Sequence, residues 1–345
     1  MKKRLYILVF TIFIMMLGGC SSEQKLKKDY ELLIEETKDD ILPVLDMKNT
    51  DLKKEYDAKL LSDETGQYTK EIWTLSGEQI DTPAGVLCRD QDIIFVDRGK
   101  DCLIQADYDG NFIKSVGETG NGPLEFLSPT GITSFQDKIY VIDAGNNRVQ
   151  ILTKDLQFEN EISLSTDSDS PTVYENIAVE SEYVIYLCGN SLMDRYITKW
   201  EDGEMTKIGE NFYGSIYGNE GQIYAVNRGN ICVDPDEIAI SVASGDNYLF
   251  QIKNDNLTVL SKLPDGLSVN AFTCFNNKLI CFASSMSKIC EFNTDGKWEK
   301  NLAVFKDLNG KIDLRNYISV SDSQQIFMTN PQTGDVFSIG CNANE

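Results

Sequence analysis

Histidine is absent from all 345 residues of this chain. Its absence removes imidazole general bases, serine–histidine and cysteine–histidine nucleophiles, and histidine-ligated zinc or haem. Basic side chains are scarce as well: 32 Lys and Arg stand against 54 Asp and Glu, a net charge of −22. Nucleic acid is excluded as a partner, because its phosphates demand a basic surface. No apolar run reaches the roughly 20 residues of a membrane-spanning helix. What is present is apolar material for a sizeable core, 41% of residues being hydrophobic, so wholesale disorder is excluded. Two ordinary domains, or one propeller or barrel, both suit this length.

The N-terminus reads as an address. Lys2, Lys3 and Arg4 precede an apolar run from Leu5 to Leu17, which ends in Leu17-Gly18-Gly19-Cys20 before the polar Ser21-Ser22-Glu23. A run of about 13 residues suits the apolar region of a signal peptide. This pattern resembles the bacterial lipoprotein signal, which implies cleavage before Cys20 and acylation there by lipid chains, palmitate among them. An ordinary secretory signal with a chance cysteine is the other reading. Each buried methylene of such an anchor contributes about 0.8 kcal/mol. Cleavage removes three basic residues and no acidic ones, leaving a net charge of −25. Ser21 after the cysteine resembles lipoproteins sorted to the outer membrane, so a cell-envelope location is expected. The lone Glu23 is a poor match to surface-export signals.

Residues 24–60 are rich in Lys, Glu, Asp and Leu and lack glycine. Leu26, Tyr30, Leu33, Ile34 and Ile41 fall on one helical stripe. The stripe predicts a helix over 24–42 that Pro43 ends, lying on the main domain or docking a partner. The expected division is a signal peptide at 1–19, a lipidated cysteine and helical spacer at 20–64, and a main domain at 65–345.

From about residue 71 the chain turns to short β-rich runs punctuated by Gly, Asn and Asp. The clearest stretch runs from Gly117-Glu-Thr-Gly-Asn-Gly-Pro-Leu-Glu-Phe126 through Pro129-Thr-Gly-Ile132 and Lys138-Ile-Tyr-Val-Ile-Asp143 to Arg148-Val-Gln-Ile151. It resembles the NHL repeat, a β-propeller blade. Ile139 to Ile142 reads as a half-buried alternating strand, and Gly145-Asn146-Asn147 as the turn that follows. Anchoring on strand ends gives six units, at Asp97, Asp143, Cys188, Ala243, Ala283 and Asn330. Their separations of 46, 45, 55, 40 and 47 residues match four-stranded blades. The extra β-like segment Gln222–Asn227 belongs to blade four, forms an insertion, or makes a seventh blade. Glu71–Leu75 is expected to complete blade six and close the ring. The fold expected is all-β, a six-bladed β-propeller preceded by the signal and helical spacer. The overall likeness is to six-bladed propeller lipoproteins of Gram-negative gut anaerobes.

Eight cysteines besides Cys20 read mainly as buried thiols, with Cys88–Cys102 and Cys281–Cys290 the pairs that could form disulfides. Histidine-dependent amidating lyases on this scaffold are excluded. The lactonase likeness implies an axial divalent ion, and the anchors Asp97, Asp143 and Asn330 offer oxygen ligands suited to Ca²⁺ or Mg²⁺. The alternative for these aspartates is capping of the following turn. Arg98, Arg148 and Arg228 follow strand ends or turns. They either fork an anionic ligand or pack along a blade against a neighbouring acid. Trp73, Tyr140 and Trp200 read as a sugar-stacking platform or as core. The Gly117–Gly122 run precedes Pro123 and a β segment rather than a helix, which excludes a phosphate loop.

Together these features predict a lipid-anchored, non-enzymatic binding module or scaffold for an envelope protein, peptide or glycan. The alternative is a divalent-metal hydrolase or lyase on a sugar-derived substrate.

Overall fold

A computed structural model describes residues 21–49, 63, 66, 68–164, 172–189, 195–243, 246–264, 266–305 and 316–340. Cys20, the signal segment and Cys341 lie outside these residues.

Six four-stranded antiparallel sheets form the six blades of a propeller. Their innermost strands are Pro83–Cys88, Pro129–Phe135, Tyr174–Ser181, Gly214–Asn219, Val269–Phe275 and Tyr317–Val320. The second strands end at Asp97, Asp143, Gly189, Asn227, Ala283 and Asn330. The two ends of the ring meet as expected. Thr69–Ile72 pairs antiparallel with Asp335–Gly340 and supplies the outermost strand of blade six. One sheet is thus shared by the beginning and the end of the domain, and the ring has no open break between its last and first blades.

The second strands are buried on both faces. Ile139, Tyr140, Val141 and Ile142 are all at most 2% exposed, so the half-buried alternation read from the sequence does not hold. The reason is packing, since each blade presses one sheet face on each neighbour. One apolar cluster fills each joint. Ile94 and Val96 meet Ile139 and Val141 between blades one and two, and Phe95 meets Phe327 between blades one and six. The outermost strands do alternate, as Phe112–Val116 shows with half-buried and exposed residues in turn. Glycine permits the close approach of inner strands: a Cβ at Gly85 would lie 2.6 Å from the Thr130 carbonyl oxygen, and one at Gly131 2.5 Å from that of Glu175.

Blade four differs from the expected alignment. Its second strand is Gln222–Asn227, which pairs with both Gly214–Asn219 and Tyr248–Lys253. The anchor assigned to Ala243 is therefore Asn227. Ala239–Ala243 instead pairs with Asn230–Asp234 in a hairpin inserted between the second and third strands. Leu45–Asp46 adds to that hairpin in parallel, making a separate three-stranded sheet. The count is six blades and an insertion.

The spacer helix, α1, spans Ser21–Thr37. It stops short of Pro43, because Thr37 turns the chain: its Oγ1 donates to the Leu33 carbonyl and accepts from the Val44 amide, both at 2.9 Å. Leu26, Tyr30 and Leu33 pack on Ile231 and Val233 of the hairpin and on Tyr213. Such side chains contribute about 1.5–3 kcal/mol each when fully buried. Ile41 does not continue the stripe and is half exposed, while Leu42 enters the joint between blades three and four. At the hairpin tip, Lys27 and Lys48 both bond the Asp236 carboxylate.

The described cysteines, Cys88, Cys102, Cys188, Cys232, Cys274, Cys281 and Cys290, are free thiols. Cys88 and Cys102 sit on the first and third strands of blade one, separated by Ile93–Asp97, and cannot bridge there. Cys281 and Cys290 are directly opposed in register. Burial pushes the Cys290 thiol up to about 12.

Arg148 and Asp143 make the most connected corner. The buried Asp143 carboxylate accepts from the Leu127 amide, Asn146, Gln150 and Arg148 Nε. The same guanidinium reaches Glu161 and the Gly122 and Glu125 carbonyls. Replacing Arg148 by alanine removes the cation paired with a buried carboxylate, which keeps its Leu127, Asn146 and Gln150 donors, and is expected to cost about 3 kcal/mol in equilibrium unfolding. An Arg148→Ala protein with unchanged stability would show that the corner contributes nothing.

The Lys27 and Lys48 ammoniums hold the Asp236 carboxyl down at about 2. A carboxyl with a depressed folded-state pKa stabilises fully above its unfolded value of about 3.9 and loses that contribution as pH falls through the folded value. Amide exchange in α1 is expected to accelerate, relative to its intrinsic rate, between about pH 4 and pH 2, and Asp236→Asn should abolish that step.

Candidate functional site

A cavity of about 550 Å³ runs along the propeller axis between the inner strands of all six blades. The inner strands begin at one end of this channel, where the second strands also end and the blades connect. We use mouth as a label for this end only: its ring is buried, and the exposed residues that line the cavity, Ser134, Gln136, Asn219 and Glu220, lie at the opposite end.

The second residue of the inner strand in blades one to five is Ala84, Thr130, Glu175, Ser215 and Asn270; in blade six, Asn316 immediately precedes the strand. All six are buried. The fold therefore places a ring of polar side chains, interrupted only by Ala84, at the mouth. Part of this ring ties blades together. Thr130 Oγ1 donates to the Tyr174 carbonyl at 2.8 Å and Ser215 Oγ to the Asn270 carbonyl at 3.0 Å. At the joint between blades six and one, Thr329 Oγ1 donates to the Ala84 carbonyl at 2.7 Å. These bonds satisfy groups that would otherwise be costly to bury.

Glu175 and Asn316 line the channel from blades three and six, which stand opposite one another in a six-membered ring. Asn316 donates through Nδ2 to the Thr329 carbonyl at 2.9 Å. Its Oδ1 is buried without a hydrogen-bond partner among the described residues. Arg228 joins this neighbourhood: it donates to the Asn270 carbonyl at 3.2 Å and lies 5.3 Å over the Tyr213 ring. Burial pushes the Cys188 thiol up to about 12, while Arg228 draws it down and Glu175 raises it further. Both charges thus act on the same buried thiol. Tyr217 and Phe272, 6.2 Å apart between ring centres, pack in the joint between blades four and five.

The three arginines singled out in the sequence are not brought together. Arg228 enters the mouth cluster. Arg148 packs along blade two against Asp143 and Glu161, the second of its two expected roles. Arg98 in blade one is partly exposed, and its amide donates to the Thr82 carbonyl. Asp97 and Asp143 cap their own corners. The Asp97 carboxylate accepts from the amides of Asp81, Thr82, Gly99 and Lys100, and it shares no hydrogen-bond partner with Asp143. Asn330 Oδ1 accepts the Gln332 amide in the turn after its strand. Among the described residues, no group of three His, Cys, Asp or Glu side chains is placed to hold a metal ion. Trp73 and Tyr140 belong to the core rather than to a platform: Trp73 packs at a tilt against Phe95, 5.0 Å between ring centres, and Tyr140 is fully buried. Trp200 is partly buried against the joint between blades two and three.

Sequence reasoning missed Glu175, Asn270 and Asn316. The signal that finds them is positional, namely the start of each inner strand, and it becomes readable only once blade four is aligned on Asn227.

Three solved structures share the fold. A catalytically inactive histidine-to-alanine variant of virginiamycin B lyase from Staphylococcus aureus, with quinupristin, aligns at a TM-score of 0.50 and 13% identity over 79% of this chain and 99% of that one. A structural genomics protein of unknown function from Bacteroides thetaiotaomicron aligns at a TM-score of 0.56 and 11% identity, over 79% and 76%. A gluconolactonase from Xanthomonas campestris aligns at 0.51 and 10%, over 76% and 87%. At such identities the likeness concerns the fold alone. Among curated proteins, none matches this chain. A family model described as a 6-bladed beta-propeller matches residues 74–279, more than half of the sequence, and the structure has six blades; the chain belongs to that six-bladed β-propeller family.

Proposed function

We propose that this chain is a lipid-anchored binding module of the cell envelope, held in the outer membrane by an acylated Cys20. Its axial channel takes a segment of protein, peptide or glycan without transforming it. The observation that carries this reading is the axial cavity of about 550 Å³, lined by Glu175 and Asn316 at its buried end and by the exposed Gln136 and Glu220 at the other. Carboxylate and amide groups along this cavity suit hydroxyl or amide donors of a threaded segment. The anchor reading rests on Lys2–Arg4, the apolar run and Cys20.

The alternative is a divalent-metal hydrolase or lyase. The fold likeness to a gluconolactonase favours it, but the expected ligands fit a metal poorly. Asp97 and Asp143 are already surrounded by N–H donors of their own blades. The virginiamycin B lyase variant lost its activity with one histidine, a residue type this chain lacks throughout.

Binding is tested on peptide and oligosaccharide arrays with the soluble 21–345 fragment. Glu220→Gln, at the exposed end of the cavity, is expected to weaken the selected ligand by roughly 10–100-fold, the worth of a hydrogen bond to a charged group. Conversion of the ligand with turnover, or one Ca²⁺ or Mg²⁺ per chain surviving exhaustive dialysis, would transfer the assignment to the hydrolase reading. In the intact cell, Cys20→Ala should move the protein from the membrane to the soluble fraction, and full membrane retention would sink the anchor reading.

A further inference from the structure

Opposite the mouth, the open end of the channel is ringed by carboxylates. Inner strands begin at the mouth, so the turns that join first to second strands encircle this open end. Across the six blades these turns hold Asp90, Asp92, Asp137, Glu182, Glu220 and Asp322 against one base, Arg89. Arg89 is taken up by Asp92, whose carboxylate accepts from its Nε at 2.6 Å and its second terminal nitrogen at 2.5 Å. Lys138, at the start of a second strand, is shared by Glu159 and Glu182, and Lys278 bonds Glu299 farther from the axis. Asp90, Asp137, Glu220 and Asp322 are exposed and make no ion pair among the described residues. They come from blades one, two, four and six, so unpaired carboxylates stand on several sides of the opening.

Charge is sorted along the axis rather than spread evenly. On the open face, the outer turns between third and fourth strands add Asp107, Asp109, Asp155, Asp202, Asp255 and Asp295 against Lys154 and Lys297. Arg98, Lys100, Arg148, Arg195, Arg228 and Lys288 all lie at the mouth end, in or beside the turns that follow second strands.

The channel lining has the same sign as its opening. Glu175 and Glu220 are its charged side chains, and neither lysine nor arginine contributes to it. Arg228 is buried at the mouth but outside that lining. Asn316, only 4% exposed, lines the channel, and its Oδ1 has no hydrogen-bond partner among the described residues. Half-buried Leu87, Phe135 and Val320, at or near the ends of their inner strands, supply apolar wall near the opening. A lysine side chain fits this combination. Its ammonium is all donor and no acceptor, and its methylene stem lies readily along apolar surface.

We propose that the channel takes a basic, lysine-bearing peptide segment, which enters at the open end past Glu220 and the neighbouring carboxylates. This rests on the binding-module reading above and assigns its ligand class. An acidic segment is repelled by the same ring, and a neutral one gains nothing from it.

The test uses the full chain in a neutral detergent and three pentapeptides with the same C-terminal dye: pentalysine, pentaglutamate and a glycine–serine peptide. Fluorescence anisotropy is expected to show pentalysine binding about tenfold or more tighter than either of the others. Asp137→Asn with Glu220→Gln, at the open end, should weaken pentalysine by about tenfold or more. Asp81→Asn with Glu118→Gln removes the same charge from exposed positions in the loops that enter blades one and two at the mouth end. That pair should change affinity by less than about threefold, because salt confines the reach of a surface charge to about 10 Å. Pentalysine that binds no better than pentaglutamate, or that loses as much at the mouth-end pair as at the open-end pair, overturns the basic-ligand assignment and leaves a binding module of other specificity. Cleavage of pentalysine that still depends on Asp137 and Glu220 upholds the ligand class and overturns the non-enzymatic reading instead.

Discussion

Every blade of this protein depends on ring closure. A radial arrangement of sheets is stable only if each sheet has a neighbour on both faces, and a chain that runs once around the ring leaves its first and last sheets short of that condition. Pairing Thr69–Ile72 with Asp335–Gly340 meets it with backbone hydrogen bonds that join residues far apart in sequence. Once the ring is closed, all six joints are equivalent in kind. Each is an apolar cluster between two sheets, and the second strands become buried on both sides.

The blades meet this common geometry with different chemistry. In blade two the corner is held by Asp143, Asn147 and Arg148, with Asn147 in the left-handed conformation at φ 51°. Blade five has the same short turn, with Ser287 also at φ 51°, but Ala283 and Lys288 stand where the aspartate and arginine would be. There Lys288 reaches the Asp63 carbonyl instead. Loss of the carboxylate thus leaves the turn intact, because closure and joint packing already determine the path of the chain. The charged corner of blade two additionally secures the long entry loop at Gly122 and Glu125.

The mouth is where this regularity yields to individuality. The same inner-strand position carries Ala84, Thr130, Glu175, Ser215 and Asn270, and three hydroxyl bonds from Thr130, Ser215 and Thr329 stitch alternate joints. Glu175 and Asn316 present polar groups to the channel from opposite sides. Blade four contributes the hairpin that receives α1, so the face with the most varied side chains also receives the N-terminal segment of the chain.

Much of this was legible in the residues themselves. Glycine, asparagine and aspartate at intervals of about 47 residues mark the blades, because turns need those residues and strands need the apolar runs between them. Leu26, Tyr30 and Leu33 marked the docked face of α1, since a helix repeats every 3.6 residues whatever it packs on. The absence of histidine excluded whole classes of chemistry. The tertiary structure alone decided the rest. It took Gln222–Asn227 into blade four and put Ala239–Ala243 into a hairpin, because two β-prone segments compete for one place and only partners in three dimensions choose between them. It turned Asp97 and Asp143 inward to their own turns, and it gathered Glu175, Asn270, Asn316 and Arg228 at the axis. Residues from four blades, separated by tens of positions along the chain, carry no common local pattern; they share a site because a closed ring brings the start of every inner strand to one point.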